Sequence, residues 1–400
     1  MRRRGFCTLS TLGLLGGCLQ LQEQSTGETD DGTETSPDGE DGDTRTETDG
    51  IERDTERIDL VEAWSRDVDS IAFHDGSFVG VVRPPHSDEV ETTRLERYDE
   101  HGEIDWSSDE IEDGYRFAIT EHDGGGIRSL DGAIVTAATG MEDTDGARLY
   151  AFDSETGEQL WVHETDGERA ETYFRALTVH DETIYYGVTD SGGTDEDQNP
   201  SIRAIDTTTG DVRWEEQFDE GFFSGITVFD DRLYVGRGWE LNVFERETGT
   251  RVHEEDVSIG FDGFIVTEDT LYFAESELQA YDPVDDELRW EREPDRTFDS
   301  GITHTNGTIY GGTRSGWVLA RDESDGDLLW ETRIDGSVIN PLLVDHGVLW
   351  TVSDSHELSA LNADTGAILY ERENGSRRIA TGSGRVFIEE TAYELERSEA

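Results

Sequence analysis

Ala151-Phe152-Asp153-Ser154-Glu155-Thr156-Gly157-Glu158-Gln159-Leu160-Trp161 returns as Ala204-Ile205-Asp206-Thr207-Thr208-Thr209-Gly210-Asp211-Val212-Arg213-Trp214. Each copy is an apolar run that ends on Asp, a polar turn that closes on Thr-Gly, and a second run carrying Trp. An Asp at a strand end accepts hydrogen bonds from the amides of the following turn, and Gly supplies the positive φ that such a turn needs. The segment therefore predicts two antiparallel strands joined by a tight turn. Weaker copies run from Ala280 to Trp290 with Asp282, from Ala320 to Trp330 with Asp322 and Gly326, and from Ala360 to Tyr370 with Thr365 and Gly366. A degenerate copy runs from Val243 through Thr248-Gly249 to His253. An early one, from Tyr98 through Asp99 and Gly102 to Trp106, has a turn one residue shorter. The last anchors, at 214, 253, 290, 330 and 370, are 39, 37, 40 and 40 residues apart.

Ahead of each copy stands another alternating run: Arg232-Leu-Tyr234-Val-Gly, Thr270-Leu-Tyr272-Phe-Ala, Thr308-Ile-Tyr310-Gly-Gly and Val348-Leu-Trp350-Thr-Val. Alternation of period two with β-branched and aromatic residues predicts strand, and no amphipathic helical period of useful length appears. A more variable run before it, such as Val338 to Val344, brings each repeat to four strands. Four short antiparallel strands every forty residues or so make a propeller blade. The final run, Arg385 to Leu395, holds the middle strands of a blade but no anchoring Trp follows it. Ile58-Asp-Leu60-Val-Glu-Ala-Trp64, at the other end, supplies one 42 residues before Trp106. The expected fold is all-β: an eight-bladed β-propeller of four-stranded antiparallel blades over 58–397, closed by the N-terminal strand completing the last blade. Residues 398–400 are a tail. Closure removes the unpaired sheet edges that invite aggregation.

The pattern Ala-x-Asp-x-x-Thr-Gly-x-x-x-Trp resembles the pyrroloquinoline-quinone-like repeat of the quinoprotein alcohol dehydrogenase-like superfamily. The resemblance implies that Trp64, Trp106, Trp161, Trp214, Trp290, Trp330 and Tyr370 dock between adjacent blades, a packing role rather than a cofactor role. It is specific for fold and weak for function, because propellers of this kind include quinone-dependent dehydrogenases, a bacterial outer-membrane assembly lipoprotein and members without assigned activity.

The N-terminus predicts an address. Arg3-Arg4-Gly5-Phe6 resembles the core of twin-arginine signals, which export folded proteins, and the apolar run Phe6 to Gly16 is too short to span a bilayer. Leu15-Gly16-Gly17-Cys18 resembles a lipobox, with Cys18 the residue that becomes lipidated. Residues 1–17 thus form a twin-arginine lipoprotein signal peptide. Residues 18–57 are the lipidated Cys and an acidic linker too poor in apolar residues to fold. The expected location is the outer face of the cytoplasmic membrane, the body held off it by a self-repelling tether.

The 400 residues carry 94 Asp plus Glu against 32 Lys plus Arg, a formal charge of −62, and no lysine. Such a surface repels nucleic acid and anionic lipid, so neither is an expected partner. It resembles the proteins of extremely salt-loving archaea, where multimolar salt shortens the Debye length to about 3 Å. The only two cysteines are Cys7 and Cys18, so the body has no disulfide, thiol nucleophile or Cys-based metal site.

Motifs that carry chemistry are few. There is no paired-histidine zinc motif, nucleophile elbow or spaced calcium loop, and Gly124-Gly125-Gly126 reads as a flexible link. The acidic loop from Asp190 to Asn199 offers Asp190, Asp195 and Asp197 as weak cation ligands, in surroundings where carboxylates are everywhere. No cofactor is expected. A quinone-dependent dehydrogenase using pyrroloquinoline quinone with calcium is the alternative reading, and capture of a solute or saccharide a further one. Links between the second and third strands are tight in the later blades, as at Glu275-Ser276, Arg314-Ser315 and Asp354-Ser355. They lengthen in the first three, at Pro84 to Glu89, Met141 to Gly146 and Asp190 to Pro200. The link after Trp106 reaches past Gly124. The expected role is that of a binding or scaffold module for cell-surface or membrane proteins, with a raised acidic ridge on one face of blades one to three. Asn306-Gly307-Thr308 and Asn374-Gly375-Ser376 are N-glycosylation sequons in predicted turns.

Overall fold

The computed structural model describes residues 56–399 apart from 69, 75, 83–92, 112–114, 118–126, 131, 141–146, 166–171, 191–199, 220–222, 238–239, 257–263, 268–269, 275–277, 283–286, 293–297, 299–301, 356 and 374–378. Arg3, Arg4, Phe6 and Cys18 lie outside the described residues, as do Asp195, Asp197 and Asn374.

Eight antiparallel sheets follow one another along the chain. Blade 1 is β2 (Ser70–His74), β3 (Ser77–Val82), β4 (Arg94–Tyr98) and β5 (Ile104–Ser107). Blade 2 is β6 (Tyr115–Phe117) with β7 (Arg128–Leu130), then β8 (Ala133–Gly140), β9 (Ala147–Asp153) and β10 (Gln159–Glu164). Blade 3 is β11 (Thr172–His180), β12 (Thr183–Asp190), β13 (Ser201–Asp206) and β14 (Val212–Gln217). Blade 4 is β15 (Phe223–Phe229), β16 (Arg232–Arg237), β17 (Glu240–Glu245) and β18 (Arg251–Asp256). Blade 5 is β19 (Phe264–Val266), β20 (Leu271–Ala274), β21 (Leu278–Asp282) and β22 (Glu287–Arg292). Blade 6 is β23 (Ile302–Thr305), β24 (Thr308–Gly312), β25 (Trp317–Asp322) and β26 (Leu328–Arg333). Blade 7 is β27 (Val338–Asp345), β28 (Val348–Ser353), β29 (Leu358–Asn362) and β30 (Ile368–Arg372). Blade 8 is β31 (Ile379–Gly382), β32 (Arg385–Ile388) and β33 (Thr391–Glu399), with β1 (Glu56–Ser65) as its outermost strand. No helix occurs among the described residues.

The ring closes as the repeat demands. β1 pairs β33 from Glu56↔Glu399 to Ser65↔Thr391, and the innermost strands β31 and β2 lie against each other across the junction. Both closing strands run two residues beyond the expected limits of 58 and 397. The added pairing is clamped: Arg397 Nη1 lies 2.9 Å from Glu56 Oε1, and its Nη2 donates to the His346 carbonyl at 2.6 Å.

There is no single core. Apolar clusters straddle neighbouring blades, as where Trp161 packs with Leu177, Ile184, Tyr186 and Ile205, or Trp214 with Leu233, Val235 and Phe244. A β-bulge ahead of Trp161, Trp214, Trp290 and Trp330 adds a residue to the outer strand and turns the indole into the seam.

Six indoles meet the glycine of the next blade's turn. Trp64, Trp106, Trp161, Trp214, Trp290 and Trp330 lie over Gly102, Gly157, Gly210, Gly249, Gly326 and Gly366, where an added Cβ would fall 2.4 to 2.9 Å from the ring. Those glycines have φ of +69° to +75°. The motif's Gly thus serves two needs at once, a left-handed turn and a seat for the neighbouring Trp. The two remaining seams follow the converse rule. In the repeat after His253 the sequence between β21 and β22, Pro283 to Asp286, has no glycine, and in the blade after Tyr370 the third strand β33 pairs β1 with no turn joining them.

The stretch after Trp106 departs from expectation. It is not one long link between blades, since the inner strand of blade 2 already begins at Tyr115. β6 pairs β8 through Phe117↔Ala138 and β7 pairs it through Arg128↔Val135, so residues 118–127 interrupt the inner strand itself. Other inner strands carry bulges, between Phe174 and Ala176, Phe223 and Gly225, and Ile339 and Leu342.

Candidate partner-binding face

The two faces of the ring are built differently. One collects the turns joining first to second and third to fourth strands; the other collects the links joining second to third strands and blade to blade.

On the turn face Asp99, Asp153, Asp206 and Asp322 each hold their own turn. Asp153 Oδ1 accepts from the amides of Glu155 and Thr156 at 3.0 and 2.8 Å, and Asp206 Oδ1 from those of Thr208 and Thr209 at 2.9 and 3.0 Å. The Thr156 amide, with its hydroxyl, keeps the Asp153 carboxyl below its ordinary pKa. Asp206 is lowered chiefly by Arg213, which bonds it at 2.6 Å, and further by the turn amides. The residue after the Asp then joins three elements. The Ser154 amide donates to Gly132 O in the blade's other turn, and the Ser154 carbonyl accepts Trp106 Nε1 at 3.0 Å from the preceding blade. Thr207, Arg246, Glu323 and Ala363 accept Trp161, Trp214, Trp290 and Trp330 in the same way, at 2.7 to 3.1 Å. Tyr185, Tyr272 and Tyr310 donate to the last three of these carbonyls at 3.2 to 3.3 Å. Trp64 shows the cost of the shorter blade 1 turn: its buried Nε1 finds no acceptor among the described residues.

On the link face the blades diverge. In blades 6 and 7 the second-to-third links are short and internally bonded. Thr313 Oγ1 meets Ser315 Oγ at 3.1 Å, Ser353 Oγ meets Ser355 Oγ at 2.8 Å, and Asp354 accepts the Ser337 amide at 2.8 Å. In blades 1 to 3 the corresponding gaps run from Val82 to Arg94, Gly140 to Ala147 and Asp190 to Ser201. Their stems are pinned. The Ser108 hydroxyl accepts the Leu95 amide at 3.0 Å, Thr165 Oγ1 accepts the Ala147 amide at 2.9 Å, and the Phe218 amide donates to Pro200 O at 2.9 Å. Just inside the stems, arginines are neutralised by glutamates. Arg94 bonds Glu96 at 2.6 Å, Arg148 bonds Glu164 at 2.7 Å and Arg203 bonds Glu215 at 2.9 Å. Glu96 is buried and also accepts the Tyr98 hydroxyl at 2.8 Å; burial, with this bond, pushes the Tyr98 hydroxyl well above its usual pKa. At the seam of blades 3 and 4, Arg237 and Arg251 stack on Phe218 with guanidinium carbons 4.7 and 5.0 Å from the ring centre.

The structure thus packs the anchor tryptophans into the seams, each against the glycine of the next blade's turn. Asp190 ends β12, paired with Thr172, while 191–199 lie outside the described residues. Among the described residues no group of three or more His, Cys, Asp or Glu is placed to hold a metal ion. Asn306 is exposed on the turn face between β23 and β24. Sequence reading did not single out the arginine–glutamate pairs; two of them, Arg148↔Glu164 and Arg203↔Glu215, sit at facing cross-strand positions that need the register, and Arg94 and Glu96 stand two residues apart on β4.

Residues 91–217, 198–277 and 274–395 match the family model described as outer membrane protein assembly factor BamB, about three quarters of the chain. The chain belongs to this family. It is 32% identical over 106 residues to the outer membrane protein assembly factor BamB of Nitrosomonas eutropha, covering 26% of each chain. With the protein of the same name from Yersinia pestis it is 25% identical over 229 residues, 48% of this chain and 57% of that one. The chain therefore spans between about a quarter and somewhat over half the length of these curated relatives. Among solved structures, BamB from Moraxella catarrhalis superposes with a TM-score of 0.58 at 17% identity, over 84% of this chain and 97% of that one. Quinohemoprotein alcohol dehydrogenase from Comamonas testosteroni does so with a TM-score of 0.56 at 14% identity, over 82% and 72%. Both structural likenesses are likenesses of fold.

Proposed function

We propose that this BamB-family propeller is an exported binding and scaffold module, lipidated at Cys18 and standing off the outer face of the cytoplasmic membrane. It captures other cell-surface or membrane proteins and performs no chemistry of its own. The observation that carries the reading is the confinement of long second-to-third-strand links to blades 1 to 3 on one face, above stems held by side-chain and backbone bonds. Rigid stems under variable links are how a scaffold presents recognition loops. Family membership supports the same class, since relatives are described as assembly factors. We carry over only the class of membrane-associated binding module, not the outer membrane. The acidic links would suit a partner with a basic patch, in the high salt that a charge of −62 implies.

The dehydrogenase alternative is favoured only by the shared fold. Its vicinal disulfide has no cysteines to form from in the body, and the described residues offer no cluster of carboxylates placed for calcium. These residues do not fit quinone with calcium, and no step is derived through them. Replacing 191–199 by a two-residue turn in the anchored protein tests the main reading: partner capture on intact cells should fall at least tenfold. Undiminished capture would refute the ridge. Titration of 56–400 with pyrroloquinoline quinone and calcium in multimolar salt tests the alternative, which substrate-dependent reduction of an acceptor dye would establish.

A further inference from the structure

Turns on the turn face join first to second strands, and their first residue is repeatedly left-handed: Asp181, Asp230, Asn306, His346 and Ser383 have φ of +46° to +54°. Asn and Asp tolerate this conformation alike. The acidic sequence uses Asp in such turns at Asp181 and Asp230, while blade 6 has Asn306 followed by Gly307 and Thr308. Asn306 and Gly307, with φ of +50° and +79°, form a two-residue turn of the kind that Asn-Gly favours. Asn306 is exposed, and the nearest atoms to a Cβ built on Gly307 are those of the Glu323 carboxylate, at 3.8 Å or more. The acceptor side chain therefore stands open to an approaching enzyme.

We propose that Asn306 is an N-glycosylation site of the exported protein, its substrate a lipid-linked oligosaccharide phosphate or diphosphate. The inference rests on the export reading above. In the transfer the Asn306 amide nitrogen displaces the lipid phosphate from the first sugar carbon. A C–N glycosidic bond forms, the C–O bond to phosphate breaks, the lipid phosphate departs with the bonding pair, and the amide loses one proton to a base of the transferase. The glycan would stand on the turn face, the face at which β1 begins at Glu56 and β33 ends at Glu399. The sugar would then leave the links of blades 1 to 3, on the other face, clear for a partner.

The test is mass spectrometry of full-length protein purified from its own cells. Trypsin releases residues 297–314, between Arg296 and Arg314, with Asn306 as the only sequon. This peptide should carry added sugar mass in the wild type and lose it completely in Asn306→Asp, which keeps a residue that adopts the same φ at Asp181 and Asp230. Thr308→Val, which keeps a β-branched residue at the start of β24, should lose it as well. Protease shaving of intact cells from the same culture reports export independently. A surface-exposed protein whose 297–314 peptide is wholly unmodified, or still modified in Asn306→Asp, overturns the site while export stands. A protein confined inside the cell overturns the export reading, and the site with it.

Discussion

The turn face and the link face are made by the same strands from the same repeat, yet they obey different rules. On the turn face every conspicuous residue of the motif has a mechanical role. Asp bonds the turn, Gly seats the neighbour's indole, and the residue between them lends its carbonyl to that indole. On the link face the blades share only their stems, and what lies between the stems changes from blade to blade. Repetition marks the parts that close the ring, and departure from repetition marks the parts free to take up function. The two faces should therefore separate stability from partner capture.

The largest effects belong to the seams. Trp330→Ala, which empties a buried site over Gly366 and removes one of the two hydrogen bonds to the Ala363 carbonyl, should cost about 3–5 kcal/mol. Tyr370→Ala, at a seam with no glycine seat, should cost about 1–2 kcal/mol, because that ring is only partly buried. Chemical denaturation in high salt measures both, and equal losses would erase the distinction between the two kinds of seam. Gly157→Val adds a left-handed β-branched residue and pushes on Trp106, so a loss above about 2 kcal/mol is expected. Tyr310→Phe should cost less, about 0.5–1 kcal/mol, since Trp330 keeps the shared carbonyl bonded.

Acid should act on the turn face. Asp153, Asp206 and Asp322 are each held below the ordinary carboxylate range by Thr156, Arg213 and Ser324 respectively, together with turn amides. A depressed folded pKa contributes stability that is fully present above the unfolded value of about 3.9 and is lost as pH falls through the folded one. Thermal melts at constant salt should therefore fall below pH about 4, and Asp206→Asn should flatten that decline. The smallest stability effect belongs to the link face: shortening 191–199 should change stability by no more than about 0.5 kcal/mol while removing partner capture.

Most of the architecture could be read from Asp153, Gly157, Trp161 and their repeats, because turn chemistry and anchor spacing are local and leave a mark in sequence. The closing strand could be read as well, since Trp64 completes the series that Arg385 to Leu395 leaves unfinished. What could not be read has a common cause. The acceptor of the Trp106, Trp161, Trp214, Trp290 and Trp330 indoles is a backbone carbonyl of the next blade, and carbonyls carry no residue signature, so the missing partner of Trp64 appears only in three dimensions. The interruption at 118–127 was hidden because three residues on either side, Tyr115–Phe117 and Arg128–Leu130, are too few to display alternation. On the candidate face the unequal link lengths were legible, whereas pairs such as Arg203 with Glu215 depend on register across strands.

Site-specific photo-crosslinking on intact cells tests the division of faces most directly. A photoreactive residue is placed in turn at Asp109 and Asp219, exposed on the link face beside blades 1 and 3, and at Glu155 and Asp364, exposed on the turn face. The account predicts one discrete, reproducible adduct from the first two positions, lost when 191–199 are shortened, and none from the second two. Adducts of equal yield from both faces, or from the turn face alone, would contradict it.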